Sequence, residues 1–320
     1  MIKSFHLICC ILIIPIYAFS QNPKDGQSNP KKVLFVTEDI ERFWEAFDST
    51  RVDSARSPEI FDNLYLKKGT YGLKELNKLS IKGANNLATA VNKYSRYYQS
   101  IREHTYQVNR MEKQTRRSLK KMKRLYPAAI FPDIYFLIGD MNAAGKPTKS
   151  ALLIGTEVYS ADENSNFENV YPPFQTILKS LTISKLPQVV AHELIHYQQS
   201  YYDINKNLLG TAIMEGSADF IAELITNVKM NAPNYDYGSK HERELWAEFI
   251  NEAKSSNINK WMWNSSVDGK PGDLGYYIGY KIVQSYYENC KDKRHAIQEI
   301  LNVKDFDEFL LKSRYGIKFN

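Results

Sequence analysis

The sequence predicts an α+β protein that is mostly α-helical and contains a small β-sheet. Helices are predicted because residues 33–126 contain proline-poor stretches in which apolar side chains recur at helical spacing. Strands are predicted by two short runs of β-branched and aromatic residues, at 133–139 and 151–159. The 320 residues allow a sizeable core, and a composition of 43% hydrophobic and 24% charged residues excludes a disordered chain or a multi-span membrane protein.

Residues 1–20 have the features of a secretory signal peptide. After a positively charged start, Leu7 to Phe19 form an apolar run that is too short to span a bilayer as a stable helix. Ala18 and Ser20 place small residues at the −3 and −1 positions, which predicts cleavage before Gln21. We therefore expect an exported protein, in the periplasm, at the cell surface or secreted.

The three cysteines bear on processing and on redox chemistry. Lipid attachment at Cys9 or Cys10 is the alternative to simple cleavage, and it is not favoured because both lie in the apolar run and neither follows a small residue. Removal of the signal leaves Cys290 alone, which excludes an intramolecular disulfide. Cys290 is interpreted as a buried or inert thiol rather than a nucleophile.

The first part of the mature chain is expected to be a tether followed by helices. Residues 21–32 are rich in Pro, Gly, Ser, Asn, Gln and charges, which predicts a flexible segment. Thr37 is a suitable N-cap for a first helix. The apolar stripe of that helix consists of Ile40, Phe43 and Phe47. Further helices are expected near residues 70–79, 84–104 and 107–125.

One predicted helix carries a concentration of positive charge around a single acid, Glu112. Its cations are Arg110, Lys113, Arg116, Arg117, Lys120, Lys121, Lys123 and Arg124. A solvated helix face is the favoured interpretation, and contact with an anionic surface such as lipid head groups or polysaccharide is the alternative. Loss of Lys3 with the signal lowers the net charge from +6 to +5. No nucleic-acid partner is expected, since this charge is modest and no aromatic residues interleave the cations.

Residues 127–320 have a different character and contain the predicted sheet. A polar loop with Gly145 and Pro147 is expected to join the two strands. A helix is predicted over 174–181, after the proline pair at 172–173, and no second apolar stretch is long enough to cross a membrane.

The most informative motif is H-E-x-x-H at residues 192–196. His192 and His196 are four residues apart, so on a helix both imidazoles face one side and can bind one metal ion. Glu193 lies between them, within reach of a metal-bound water. An apolar stripe on the other side of the helix consists of Val190, Leu194, Tyr197 and Tyr201, whereas Gln199 lies on the histidine side. The alternative is a pair of structural histidines beside an incidental glutamate.

A second motif follows after enough chain for a turn and an antiparallel return. Glu215 can supply the third ligand that catalytic zinc requires, and Asp219, one turn later, can accept the outward N–H of a ligand histidine. The small residues 216–218 are expected to let the two motif helices approach closely. The alternative is an amphipathic core helix with surface carboxylates.

Together, H-E-x-x-H and E-x-x-x-D resemble the gluzincin metallopeptidases, the thermolysin-like group. The chain is more closely similar to exported bacterial proteins identified as predicted zinc-dependent proteases, some of them related to gliding-motility lipoproteins. The similar segments are the strand around Tyr135, Ile154–Glu157, the two motif helices and Asp273–Tyr280. The resemblance implies that residues 127–320 form a zincin-like metallopeptidase region.

The resemblance also assigns roles to individual residues. It implies a Zn²⁺ ion held by His192, His196 and Glu215. Glu193 becomes the general base that activates the zinc-bound water and later protonates the leaving amine, in agreement with the chemistry of zinc-bound water.

Many gluzincins also have a Tyr or His that stabilises the oxyanion. Tyr276 is the first candidate for this role, and Tyr280, one helical turn later, is the second. His241 is a weaker alternative because its surroundings are polar. The other interpretation of both tyrosines is packing with one hydrogen bond.

Substrate binding is expected along the strand at 151–159, because an edge strand in such peptidases pairs with the backbone of an extended substrate. The sequence lacks the Gly-rich exopeptidase signature of thermolysin-like aminopeptidases, so substrate preference does not transfer.

Two functions follow from these observations. The first is an exported zinc metallopeptidase that hydrolyses peptide or protein substrates. The second is a non-catalytic cell-envelope module with a zinc-stabilised scaffold, which binds a protein or glycan partner. Hydrolysis of a non-peptide amide is a third possibility that the site residues also allow.

Overall fold

The computed structural model describes residues 25–204, 206–229, 233–264, 266–267 and 269–319. The predicted signal peptide, with both candidate lipidation cysteines, lies outside the described residues. Within them, no helix combines the length and apolar character needed to cross a bilayer.

The described chain is mostly helical, as predicted, and includes short 3₁₀ and π-helical segments besides the α-helices. The α-helices are α1 (Glu38–Val52), α2 (Ser57–Phe61), α3 (Tyr71–Leu76), α4 (Ala84–Lys93), α5 (Ser95–Thr105), α6 (Glu112–Leu125), α7 (Thr156–Tyr159), α8 (Pro172–Ser180), α9 (Leu186–Gln198), α10 (Leu208–Thr226), α11 (Pro233–Lys240), α12 (Glu242–Glu252), α13 (Leu274–Asn289), α14 (Lys293–Leu301) and α15 (Phe306–Ser313). The strands are β1 (Phe35–Val36), β2 (Asp133–Leu137), β3 (Gly145–Pro147), β4 (Ala151–Gly155), β5 (Ser266–Val267) and β6 (Lys270–Pro271).

The N-terminal helices follow the predicted pattern with two differences. α1 begins after Thr37 and buries its predicted apolar stripe, although the Thr37 side chain makes no capping hydrogen bond. The helix predicted over 84–104 is two helices, because the backbone of Tyr94 leaves the helical region between α4 and α5. The predicted tether is also ordered in its described part. Asp25 donates its backbone N–H to Lys149, and Gln27 forms a β-bridge with Phe131.

The main sheet has four strands in the order β1-β2-β4-β3. β1, β2 and β4 are parallel, and β3 pairs antiparallel with β4 at the edge. Because β1 comes from the predicted N-terminal helical region and the other strands come from the region after residue 127, the two regions share this sheet. All five residues of β4 are buried, which places the strand inside the core.

Two sequence-based expectations for this sheet are wrong. The segment predicted as a polar loop contains strand β3, which was hidden because an edge strand tolerates proline and exposes polar side chains such as Lys146. The strand predicted over 151–159 ends at Gly155, and the chain then turns into α7. There the Thr156 hydroxyl donates to the carbonyl of Leu137 at 2.8 Å.

Helix α10 is buried over most of its length and packs against α6, α9 and α13. Its contact with α13 is too close for a side chain at two glycines. A Cβ on Gly216 would lie 2.0 Å from the backbone nitrogen of Tyr280, and one on Gly279 would lie 1.7 Å from the carbonyl oxygen of Ala212. Gly216 therefore serves the α10–α13 contact, and not the approach of the two motif helices that the sequence led us to expect.

The α10–α13 contact gives a first testable prediction. Gly279→Ala should lower the free energy of unfolding by about 3 kcal/mol, because its new methyl group meets backbone that can move only if the two helices separate. Urea unfolding would measure the loss, with Glu288→Ala on the exposed side of α13 as the control. A Gly279→Ala chain as stable as this control would show that the two helices are not in such close contact.

Candidate metal centre

Helix α9 carries the H-E-x-x-H motif. Pro187 lies in its first turn, where no intrahelical N–H is required. Val190 and Leu194 are fully buried on the opposite side, so the helix is held by its apolar stripe while His192 and His196 face the neighbouring helix α10.

Three side chains from α9 and α10 bring ligand atoms to one point. His196 Nε2 lies 2.9 Å from His192 Nε2 and 3.1 Å from Glu215 Oε2, and His192 Nε2 lies 3.4 Å from the same carboxylate oxygen. One nitrogen or oxygen atom from each residue falls within 4.8 Å of the others. Two imidazoles and one carboxylate are a ligand set of catalytic zinc sites, in which a fourth position is left for water.

The two helices run antiparallel at this point. His196 lies beside Glu215, and His192, one turn earlier in α9, contacts Asp219, one turn later in α10. One turn towards the N-terminus of α9 therefore lies beside one turn towards the C-terminus of α10. This arrangement lets four side chains at helical spacing form a single cluster.

His192 is oriented by a carboxylate that the sequence indicated. Its Nδ1 lies 2.8 Å from Oδ1 of Asp219, and the other oxygen of Asp219 accepts a hydrogen bond of 2.5 Å from the Tyr235 hydroxyl. Because a carboxylate can only accept, Nδ1 of His192 carries the proton and Nε2 presents its lone pair to the ligand cluster. The role of Tyr235, which comes from α11, was not predicted from the sequence.

His196 is oriented by an amide. Its Nδ1 lies 2.8 Å from Oε1 of Gln199, whose Nε2 donates to the Met214 carbonyl and the Ser217 hydroxyl, each at 2.8 Å. Since the Met214 carbonyl can only accept, the amide orientation is fixed and Nδ1 of His196 is the donor. The sequence placed Gln199 on the histidine side of the helix but gave no indication of this contact.

These tautomers leave three lone pairs facing one another, which fits a bound cation. Without a cation, two unprotonated Nε2 atoms and a carboxylate oxygen would lie in contact with no proton between them, an arrangement that repels. Protonation of His192 at Nε2 is one way to remove this repulsion. Although burial alone would lower the pKa of His192, its contacts with Asp219 and Glu215 raise that pKa well above its usual value. A divalent metal ion satisfies all three lone pairs at once.

Glu193 lies beside this cluster and against the edge of the sheet. Burial raises the pKa of its carboxyl group, and the nearby His192 and His196 act in the opposite direction. The carboxylate packs on Gly145 of β3 so closely that a Cβ there would lie 2.5 Å from Glu193 Oε1. The absence of a side chain at residue 145 therefore leaves room for the Glu193 carboxylate.

The cluster of candidate metal ligands opens into a cleft of about 490 Å³. The lining residues are Gly145, His192, Glu193, His196, Tyr202, Ile204, Lys206, Thr211, Met214, Glu215, Ile258, Trp263 and Tyr276. The edge strand beside the cleft is β3, whereas β4, which was expected to border it, has β-strand neighbours on both sides. The expectation was wrong because the hairpin formed by β3 and β4 places the later strand inside the sheet.

Two tyrosine rings lie against the two ligand histidines. Tyr276 stacks on His192 with ring centroids 6.5 Å apart, and its hydroxyl accepts a hydrogen bond of 3.1 Å from the indole N–H of Trp263. Tyr202, which no motif in the sequence indicated, lies with its ring centroid 5.0 Å from that of His196. Both line the cleft and can offer a hydroxyl group near the metal position.

The other two oxyanion candidates lie away from the cleft. Tyr280 packs between the rings of Phe220 and Tyr235, because one further turn of α13 directs it towards α10 and α11. His241 precedes α12 at the surface, where it stacks on Tyr237 and lies 3.1 Å from a carboxylate oxygen of Glu244. Neither belongs to the cleft lining.

Glu157 is a second buried carboxyl group, located where β4 passes into α7. It accepts a hydrogen bond from the Met141 N–H, and its other oxygen has no partner within the described part of the chain. Burial raises the pKa of Glu157 from 4.5 to about 7, against the opposing effect of nearby backbone N–H groups. The folded chain therefore keeps the proton on the Glu157 carboxyl group over a pH range in which the unfolded chain loses it.

The sign of the resulting pH dependence follows from this retained proton. Stability should fall as the pH rises from 4.5 to about 7, because the folded state binds more protons than the unfolded state across that range. The loss amounts to about 3 kcal/mol at most. The free energy of unfolding in urea would be measured for wild type and Glu157→Gln at about pH 5 and about pH 8. Between these two pH values, wild type should lose more stability than Glu157→Gln, whose side chain does not titrate. Equal pH dependence in both chains, with the surface variant Glu103→Gln as reference, would contradict the prediction.

Comparison with known proteins identifies the family of this chain. A family model described as "Gliding motility protein GldB" matches residues 27–317, which cover the sheet, the cleft and all the predicted metal ligands. The chain belongs to the GldB family. No curated protein and no solved structure matches it significantly.

Membership of the GldB family bears on the two resemblances noted in the sequence. It supports the relationship to gliding-motility proteins. The likeness to gluzincin peptidases stays a prediction that depends on the residues themselves. In this GldB-family chain those residues are His192, His196, Glu215 and Glu193, which the structure brings together at one cleft.

Proposed function

We propose that this chain is an exported cell-envelope component of gliding motility whose scaffold is stabilised by a zinc ion between α9 and α10. The observation that carries the proposal is the GldB family match over residues 27–317. The predicted signal peptide at 1–20 supports export. A protein or glycan of the motility or secretion machinery is the partner proposed.

The packing of the site supports a stabilising role for the metal. Glu215 and His196 are both about 95% buried, and they come from two different helices, α10 and α9. A buried carboxylate beside neutral imidazoles is costly unless a cation accompanies it. Although burial alone would raise the pKa of Glu215, its contacts with His196 and His192 hold that pKa far below its usual range, so the buried carboxylate is ionised and needs a positive partner.

Complementation of a gliding bacterium that lacks this chain would test the proposal. Wild type and Glu193→Gln should both restore spreading, whereas His196→Ala, which cannot hold the metal, should not. Exposed His241 provides a matched control, so His241→Ala should also restore spreading. Normal spreading of the deletion strain would refute the motility role. Failure of Glu193→Gln, if that variant still holds zinc, would show that motility requires hydrolysis.

The position of Glu193 supports a second candidate function, which is hydrolysis of peptide bonds. A purely structural zinc site needs four protein ligands and no base, whereas this cleft has three ligands and a carboxylate beside them. When bound, zinc would lower the pKa of a coordinated water towards neutrality and polarise a carbonyl group.

In such a reaction the residues of this chain have separate roles. Glu193 would accept a proton from the attacking water and deliver it to the leaving amine. Tyr276, whose hydroxyl group lies at the cleft, is the proposed donor to the developing oxyanion, with Tyr202 on the other side as an alternative. Asp219 and Gln199 hold the two imidazoles in position. The free edge of β3 is the proposed binding site for an extended peptide.

A further inference from the structure

The basic residues of α6 lie on one face of the helix. Lys113, Arg117, Lys120, Lys121 and Arg124 fall within roughly 100° of one another around the axis, at about 100° per residue. We refer to these five residues as the basic face. The opposite side of α6 is buried through Thr115, Ser118, Leu119 and Met122. The helix is thus divided into a core side and a purely cationic side.

The rest of the described chain does not engage the five charges of the basic face. No ion pair or hydrogen bond engages any of their side chains in the described part of the chain. The other cations of the segment are used internally. Arg116 pairs with Glu112 at 2.7 Å and stacks over Phe35, and Lys123 donates to the carbonyl groups of Pro127 and Ala129. The basic face therefore offers uncompensated positive charge to an external anion.

The surroundings of α6 make this charge a fixed array next to the predicted tether. α6 packs against α9 and α10, the two helices of the metal centre, so it cannot turn without disturbing them. The exposed Lys31 and Lys32 end the tether segment in a 3₁₀ turn that contacts α6. Arg116 donates to the carbonyl of Val33 at 3.1 Å, which fixes the chain beside the helix.

We propose that the basic face binds the anionic surface of a phospholipid membrane, so that the folded body lies with α6 against the bilayer. Charge complementarity carries the proposal, because lipid phosphates are mobile in the bilayer plane and can adjust to cations held at fixed spacing. The basic face contains no apolar side chain, so the contact is electrostatic and does not insert into the bilayer.

Vesicle sedimentation of the purified mature chain would test this binding. The chain should sediment with vesicles of phosphatidylcholine that contain a minority of phosphatidylglycerol, and not with pure phosphatidylcholine. Raising the salt concentration from about 0.05 M to about 0.5 M should release it, since the contacts are exposed to solvent. The triple variant Lys113→Gln, Lys120→Gln, Lys121→Gln should bind the anionic vesicles about a hundredfold more weakly.

A control with the same change in net charge separates the basic face from overall charge. Lys68→Gln, Lys74→Gln, Lys78→Gln removes three exposed lysines near α3 and should bind the vesicles like wild type. Equal weakening by both triple variants would overturn the proposal, and so would vesicle binding that resists high salt. Binding to a soluble anionic polysaccharide with no binding to anionic vesicles would also overturn it, in favour of a glycan partner. Thermal unfolding of each variant would show that it is folded.

Discussion

If the proposed zinc ion is bound, its removal with a chelator should lower the midpoint of thermal unfolding of the wild-type chain by about 10 °C. An ion that binds only the folded state adds about 4 kcal/mol of stability when its concentration is a thousandfold above Kd. Each kcal/mol of added unfolding free energy raises the midpoint by about 2–4 °C in a chain of this size class. The structural reason is the buried contact between His196 of α9 and Glu215 of α10, where a bound cation would join two groups that both offer lone pairs.

Differential scanning calorimetry before and after chelation would measure this shift, and elemental analysis would give the bound metal. His196→Ala should contain no zinc and should unfold at the same midpoint with or without chelator. His241→Ala removes an exposed histidine outside the cleft and should keep the full response of wild type. A wild-type midpoint that is indifferent to chelation would refute the metal centre, as would a chelator effect of equal size in His196→Ala.

Glu193→Gln should abolish hydrolysis while the zinc stays bound, if the cleft is catalytic. Glutamine has nearly the same shape and fits beside Gly145, but its amide cannot accept the proton that the attacking water must lose. General-base catalysis contributes about 10²–10⁴-fold to such reactions, so cleavage should fall by at least a hundredfold. The zinc content and the chelator-sensitive midpoint should equal those of wild type, because Glu193 is not among the three converging ligands.

Cleavage would be followed on unstructured proteins and peptide libraries, and by identification of new protein termini in cells expressing wild type or Glu193→Gln. The surface variant Glu288→Gln is the matched control and should cleave like wild type. Unchanged activity in Glu193→Gln would refute the role of this residue. A wild-type chain that binds zinc but cleaves nothing at any pH would leave the non-catalytic envelope function as the supported one.

The parts of the site that could be predicted from sequence are those fixed by spacing along a single helix. His192 and His196 share a face of α9, and Glu215 and Asp219 share a face of α10, because residues four apart always do so. The antiparallel pairing of α9 and α10 could also be predicted, because a short connection between two helices favours an antiparallel arrangement.

The remaining features depend on contacts between segments that are distant in the sequence. Tyr235 reaches Asp219 from α11, and Gly216 faces α13, which no local pattern of α10 indicates. β3 has three residues, one of them proline, and takes its strand conformation from pairing with β4. Tyr276 lies at the cleft and Tyr280 lies in the core, because different helices surround α13 at these two turns.

The close fit between Gly145 and Glu193 gives a way to sort relatives of this chain by sequence alone. A homologue with any side chain at the position of Gly145 would push the carboxylate at the position of Glu193 away, even if its H-E-x-x-H were intact. Such a relative should still hold a metal ion but should have lost the arrangement needed for hydrolysis. If the cleft is catalytic, the residue at this one position of an edge strand, read together with the helix motif, should separate relatives that can hydrolyse from relatives that only bind the metal.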